Sequence, residues 1–154
     1  MTVRSMANTS SIKSGVVAGK VLQVVRATDS TYRTTTSTSF VDASISVTIT
    51  PHESTSSIML IWLSRASPTG GSFSSLFLSI TDASNNAISG AEESAVGNSS
   101  STAVSLPAIV IAYDSPATLS AVTYKGRFKS NTGVTSRLFN ADLTAQMFAI
   151  EVAG

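Results

Sequence analysis

The chain has 154 residues with a formal net charge of +1, and only 12% of them are charged. A chain of this length forms one domain with its own core, and so balanced a charge argues against a general electrostatic grip on nucleic acid. The chain has no cysteine, which excludes disulfides and thiolate metal sites. Although Ser and Thr are abundant, 42% of the residues are hydrophobic, so the composition indicates a folded domain and not a disordered segment.

Residues 1–18 form a polar, Ser-rich leader with weak patterning. We expect them to form an extended N-terminal arm, followed by one β-sandwich domain over residues 19–154. The arm either contacts a neighbouring chain or folds back onto its own domain, and both placements remain open. No apolar h-region follows Arg4 and Lys13, so the leader does not predict a signal peptide.

Short runs that alternate apolar and hydroxyl residues predict β-strands in the rest of the chain. The clearest run is Ala43–Thr50, in which the Ile and Val residues should point into a core and the residues between them into solvent. The run Ser57–Ser64 is instead apolar on both faces and should bury Trp62 in the core. It predicts a central strand that lies between the core and a second layer or a partner subunit.

Further strands complete an all-β pattern without a helix. Pro107 interrupts one of them and suggests an edge or a bulge, and residues 90–101 are predicted to form an exposed loop. The remaining strands are Lys20–Ala27, Phe73–Thr81, a short return strand around Ile88, Thr102–Tyr113, Thr118–Lys129 and Ala141–Val152, in which Phe148, Ile150 and Val152 alternate. Strands of this number and spacing predict a jelly-roll-like antiparallel β-sandwich.

Side chains that could support catalysis are scarce. His52 is the only histidine and lies in a Pro-led turn beside Glu53, whereas a metal site needs several converging ligands. His52 could serve as the base of a Ser-His-Asp triad, but there is no Gly-x-Ser-x-Gly elbow to expose a nucleophile. The segment Gly15–Lys20 has one residue too few between its glycines for a phosphate-binding loop, and it precedes a strand. We therefore predict no enzymatic activity and no cofactor.

A row of basic residues, Lys125, Arg127 and Lys129, lies on the outward side of the strand Thr118–Lys129. This row could bind a carboxylate surface or a glycan-linked phosphate. The interpretation that we favour is a solvent-facing strand whose charges deter edge-to-edge aggregation.

Six segments of the chain form a further pattern: Gly19–Val25, Thr36–Pro51, Ser56–Ile58, Thr123–Lys125, Ser130–Gly133 and Ala149–Val152. Together they resemble a family of phage virion proteins that is common in viruses of cyanobacteria and other aquatic bacteria. The resemblance covers residues 19–152 and implies a β-sandwich virion component, of the kind labelled tail fibre or structural protein. It carries over no catalytic or metal residue, and Ser57 stands where relatives often have Lys.

Two placements within a virion compete, and we favour a capsid decoration (cement) protein because the chain is short, has no long fibrous shaft and carries an arm. It would then be a homotrimer on the capsid surface that contacts the major capsid protein or other virion subunits. A surface so poor in charge also favours a subunit of a larger assembly. The alternative is a tail-fibre or receptor-binding protein whose loops at 67–72 and 90–101 bind host surface glycan. We expect no contact with nucleic acid, because the charge of the chain is balanced. We also expect no contact with a membrane, since the longest apolar stretch is far short of the roughly 20 residues that span a bilayer. The candidate partner contacts are Arg4, Met6, Ile12 and Lys13 in the arm, and Lys125, Arg127 and Lys129 on the basic strand.

Overall fold

The computed structural model describes residues 19–69, 73–98 and 103–154, together with the backbone of two short strands at 12–13 and 16–17. Over these residues the chain is all β and contains no helix, hence none that could span a membrane. The strands are β1 (Ile12–Lys13), β2 (Val16–Val17), β3 (Val21–Asp29), β4 (Arg33–Thr35), β5 (Val41–Ile49), β6 (Ser57–Pro68), β7 (Ser74–Asp82), β8 (Ser94–Asn98), β9 (Leu106–Asp114), β10 (Val122–Ser130), β11 (Ser136–Leu138) and β12 (Ala145–Val152).

Two antiparallel sheets face each other. The four-stranded sheet has the order β5-β10-β7-β8. In the six-stranded sheet β3, β12 and β6 are neighbours, β9 pairs with the other edge of β6, and the short strands β11 and β4 extend it beyond the end of β12. The main strands thus follow the orders β3-β12-β6-β9 and β5-β10-β7-β8, which is the pairing of two Greek keys in a jelly roll. The prediction of a jelly-roll-like antiparallel sandwich is confirmed.

The core lies between the two sheets and is built from alternating strand positions. In β5 the residues Ile45, Val47 and Ile49 are buried while those between them are exposed, as the sequence pattern predicts. β6 places Trp62 in the same core from the opposite sheet, where the indole is 1% exposed. Side chains that alternate faces therefore fill one shared interior from both layers.

The two sheets approach each other closely at Gly126, in the middle of β10. A Cβ atom on Gly126 would lie 2.8 Å from Ile45 Cγ2 and 3.1 Å from two ring carbons of Trp62. β5 makes room here with a bulge, because Ser46 pairs with Lys125 but the next paired position, opposite Arg127, is Asp42. Within the bulge Ser44 has a positive φ of 56°. The indole of one sheet thus packs directly on the backbone of the other.

Several local sequence predictions are wrong. The segment predicted as an exposed loop contains β8, which pairs with β7 over Ser94–Asn98; it contributes one large apolar side chain, so its alternation is too weak to recognise. The return strand around Ile88 is only an isolated bridge between Thr81 and Ala87. Pro107 lies inside a continuous strand that pairs only with β6, so the edge position that it suggests is confirmed and the interruption is not.

The basic strand is also placed differently from the interpretation that we favoured. β10 lies between β5 and β7 and hydrogen-bonds to both, so it is an interior strand. Its charges cannot protect a sheet edge, because it has none. Basic residues are tolerated there because the outer face of this sheet is polar, and their alkyl stems can lie along it.

We predict that Gly126→Ala lowers the free energy of unfolding by about 1–3 kcal/mol, because the added methyl overpacks the contact between Ile45 and Trp62. Urea denaturation of the purified protein measures this change. The matched control is Gly97→Ala on β8, where the nearest atom to a new Cβ is Ser75 Oγ at 3.5 Å, an ordinary contact. Equal stability changes in the two variants would contradict the role given to Gly126.

Candidate assembly surface

The two sheets present very different outer faces. On the four-stranded sheet most outward residues are hydroxyl or charged side chains, among them Ser46, Thr48, Lys125 and Arg127. The outward Phe77 is an exception, and Lys129 Nζ lies 5.1 Å from its ring centre. Such a polar face is what an antiparallel sheet normally turns to water. The six-stranded sheet does not follow this rule.

Its outward positions are largely apolar on β6, β9 and β12, and β3 adds Val24. The outward Arg26 and Thr28 on β3 and Gln146 on β12 are polar. On β6 the buried Ile58, Leu60 and Trp62 face the core, so the residues between them face outward. The strand register aligns these with outward residues of β12, β3 and β9 in continuous rows. We call the resulting surface the outer apolar face; it comprises Val24, Met59, Ile61, Leu63, Ile109, Ile111, Tyr113, Phe148 and Ile150.

The outer apolar face is open to solvent in the described part of the chain. Val24 is 55% exposed, Ile109 58%, Ile111 57% and Tyr113 50%, while the residues on β6 and β12 are half-buried by their own neighbours. Every strand from β3 to β12 belongs to one of the two large sheets, so none of them forms a further layer over this side. The prediction that β6 is apolar on both faces is confirmed, and the second layer that it implies is absent from residues 19–69, 73–98 and 103–154.

Polar groups mark the limits of the outer apolar face. At one end Arg65 forms an ion pair with Asp142, with 3.2 Å between Nη1 and Oδ2. At the other end the hydroxyls of Ser57 and Ser115 are 3.0 Å apart. Arg26, on β3, is the one charged residue that the register places within the rows.

The size of this surface sets it apart from a scatter of exposed apolar side chains. Four strands at about 4.8 Å spacing are about 19 Å wide, and the run from Gln146 to Val152 is about 23 Å long, which gives a footprint on the order of 440 Å². The largest contiguous apolar patch on a soluble monomer is about 300–600 Å², and it is often functional. A patch of this size makes the outer apolar face a candidate site of interaction with another protein surface.

The basic row on β10 is largely engaged within the chain. Lys129 Nζ lies 2.6 Å from Glu93 Oε1 and within 4.6 Å of the ring centre of Phe40. Arg127 donates a hydrogen bond to the carbonyl oxygen of Phe40. These contacts fix both side chains against the four-stranded sheet, on the face opposite the outer apolar face. A role for Lys125, Arg127 and Lys129 in binding a partner stays a prediction, and Arg4, Met6 and the side chains of Ile12 and Lys13 lie outside the described residues.

A buried carboxylate, which the sequence does not reveal, lies where β12 meets the turn after β5. Glu151 is 0% exposed. Its Oε2 accepts a hydrogen bond from Gln23 Nε2 at 2.7 Å and lies 2.9 Å from His52 Nδ1, while Oε1 accepts one from the His52 amide at 2.7 Å. Burial alone would raise the pKa of Glu151, but the hydrogen bonds from His52 and Gln23 lower it from its ordinary 4.5 to about 2. With both oxygens occupied, the group closes the turn and has no free lone pair directed at a substrate.

The other polar candidate is a shallow depression of about 350 Å³ beside the end of β10. In its wall the Tyr124 hydroxyl donates a hydrogen bond of 2.7 Å to Asp114 Oδ2. Burial raises the pKa of Tyr124 far above its usual range, and the neighbouring Asp114 carboxylate raises it further, so the phenol stays protonated. No group of three or more His, Asp or Glu side chains that could hold a metal ion occurs within the described ranges.

Comparison with known proteins adds no relative to these observations. No protein-family model matches the chain, and no curated protein matches it significantly. The outer apolar face is therefore the feature of the described structure that points most directly to a function.

We predict that the stabilising contribution of Glu151 is present above about pH 4.5 and is lost as the pH falls toward 2, because its pKa is lower in the folded than in the unfolded chain. Glu151→Gln should lower the free energy of unfolding near neutral pH by an amount on the order of 2 kcal/mol. The difference in free energy of unfolding between Glu151→Gln and the native protein should shrink steadily as the pH falls from about 4.5 toward 2. Denaturant titrations at a series of pH values measure both effects.

Glu92→Gln is the control for this variant, since it removes a carboxylate from an exposed position on the loop before β8. Its free energy of unfolding should follow that of the native protein at each pH. A Glu151→Gln curve parallel to the native curve would show that the buried carboxylate does not act as described.

Proposed function

We propose that this protein is a non-enzymatic structural subunit of a bacteriophage virion and acts as a capsid decoration (cement) protein. In this role homotrimers lie on the capsid surface, bind the major capsid protein or other virion subunits, and stabilise the shell through contacts between subunits. The observation that carries the proposal is the outer apolar face, a broad surface that a free monomer would leave in water.

Three features support an assembly role over a catalytic one. The first is the breadth of the outer apolar face, which spans four strands and fits a protein surface better than a small ligand, because ligand sites are concave. The second is the low charge of the chain, with only 12% charged residues, which gives a free monomer little protection against association. The third is the engagement of Glu151 and Tyr124 in hydrogen bonds that hold strands and turns together.

The assignment to a phage virion is supported by the resemblance of residues 19–152 to the phage virion proteins. Jelly rolls also occur in viral capsid proteins, but a fold alone does not specify a function. The placement within the particle is therefore the point to test first.

One observation favours the alternative of a tail-fibre or receptor-binding protein. The predicted loop at 67–72 is shorter than expected, because Ser67 and Pro68 belong to β6. Phe73, at the end of the connection between β6 and β7, is 77% exposed. An exposed aromatic ring offers an apolar face to a ligand, and a host glycan could bind against it. Residues 70–72 and 99–102 lie outside the described structure, so the rest of these loops adds no support.

We predict that antibody raised against the purified domain labels the whole head of phage particles in electron micrographs. A cement protein covers the shell in many copies, so the label should be dense and evenly distributed. Labelling confined to the tail would replace the decoration role by the receptor-binding one. Particles that bind no antibody on head or tail would overturn the assignment to a virion.

We also predict that deletion of residues 1–18 leaves the sandwich folded but reduces its incorporation into particles. The domain should persist because β3 is held at its start by backbone hydrogen bonds, from the Gly19 amide to the Ala153 carbonyl and from the Ala153 amide to the Lys20 carbonyl. Circular dichroism checks the fold, and quantitative gel analysis of purified particles measures occupancy. Full occupancy by the shortened chain would exclude an anchoring role for the arm.

A further inference from the structure

We propose that the outer apolar face is covered by further copies of this same chain, which pack on it sheet against sheet. This inference rests on the proposed function, for which it names the surface that joins the subunits. Two other occupants compete with it: the N-terminal residues 1–18 of the chain, and a different virion protein.

The width of the outer apolar face favours a sheet as its occupant. Residues 1–18 contain the short antiparallel pair β1-β2, and a two-stranded ribbon covers about two strand spacings, or 9.6 Å, whereas the face is about 19 Å wide. Because β1 and β2 are only two residues long each, one arm would leave most of the rows uncovered. A second copy offers a surface of the same width, the same apolar chemistry and the same hand of twist, and packed sheets meet in this way about 10 Å apart.

The charges point in the same direction. Residues 1–18 carry Arg4 and Lys13 but no acidic residue, and the charge within the outer apolar face is that of Arg26. The arm therefore brings no counter-charge to Arg26. A second copy brings Tyr113, whose ring is half-exposed at the β9 edge of the sheet. Where β3 of one copy meets β9 of the next, the guanidinium of Arg26 can form a cation–π contact with this ring. A net charge of +1 also leaves little repulsion between copies.

The dimensions of the face allow a closed assembly. The outer apolar faces of three copies, each about 19 Å wide, can form the sides of a triangular prism. The axis of this prism lies about 5.5 Å from each sheet. That distance is close to half the roughly 10 Å spacing of packed sheets. Side chains of ordinary length, such as Ile61 and Phe148, would then meet at the axis. A pair of copies face to face would cover the same rows, so the inference concerns the surface and holds for either stoichiometry.

The test is the mass of the purified full-length chain in solution, measured by light scattering and sedimentation equilibrium over a wide range of concentrations. We expect a closed oligomer, and we expect Ile111→Asp to weaken its association by at least about 100-fold, because a buried unpaired carboxylate costs several kcal/mol. The residue is exposed in the single subunit, so the variant should fold normally. Val24→Asp, on the opposite side of the face, repeats the test should Ile111→Asp fail to fold.

The matched control is Ser46→Asp, which places the same charge on the outward side of β5 in the four-stranded sheet. It should leave the oligomer intact. A full-length chain that stays monomeric at every concentration would overturn the inference and assign the face to its own arm or to another virion protein. Oligomers that resist both Ile111→Asp and Val24→Asp would overturn it as well. None of these outcomes depends on antibody labelling of particles, so the inference and the proposed function can fail separately.

Discussion

The contact between Trp62 and the backbone of Gly126 determines how the two sheets of this protein fit together. β6 and β10 lie inside their sheets, and the indole reaches across the core to a residue without a side chain. The bulge in β5 gives Ile45 its place beside the same glycine. Because packed interiors tolerate little change in volume, this contact fixes the separation of the layers and hence the positions of the strands outside it.

The outer apolar face follows from the alternation of side chains along the strands that form the core. A strand that fills the core with one set of side chains must present its other set outward. On β5 that other set is Ser and Thr, and on β6 it is Met59, Ile61 and Leu63. Water solvates the hydroxyl side chains well and the apolar ones poorly. The outer side of the four-stranded sheet is therefore suited to contact with solvent, and the outer side of the six-stranded sheet to contact with another subunit.

Local alternation was enough to predict the sandwich, the inward residues of β5 and the two-sided apolar character of β6. It did not predict β8, whose few apolar side chains carry no period, or the interior position of β10, which depends on pairings distant in the sequence. The burial of Glu151 was equally hidden, because the groups that satisfy it, Gln23 and His52, lie far away along the chain. The outer apolar face could be predicted only in part. The sequence of β6 indicates an apolar outward side, but it does not reveal that β9 and β12 lie beside β6 and continue this surface.

β12 comes last among the strands but lies between β3 and β6 in the six-stranded sheet. During synthesis the two flanking strands leave the ribosome long before Ala145–Val152 is made, and the gap between them stays open until then. Pairings so distant in sequence form slowly, and unpaired strand edges are prone to aggregate while they wait. A chain cut short before Ala145 would leave β3 and β6 each with an unpaired edge, so the six-stranded sheet closes only after β12 has been made.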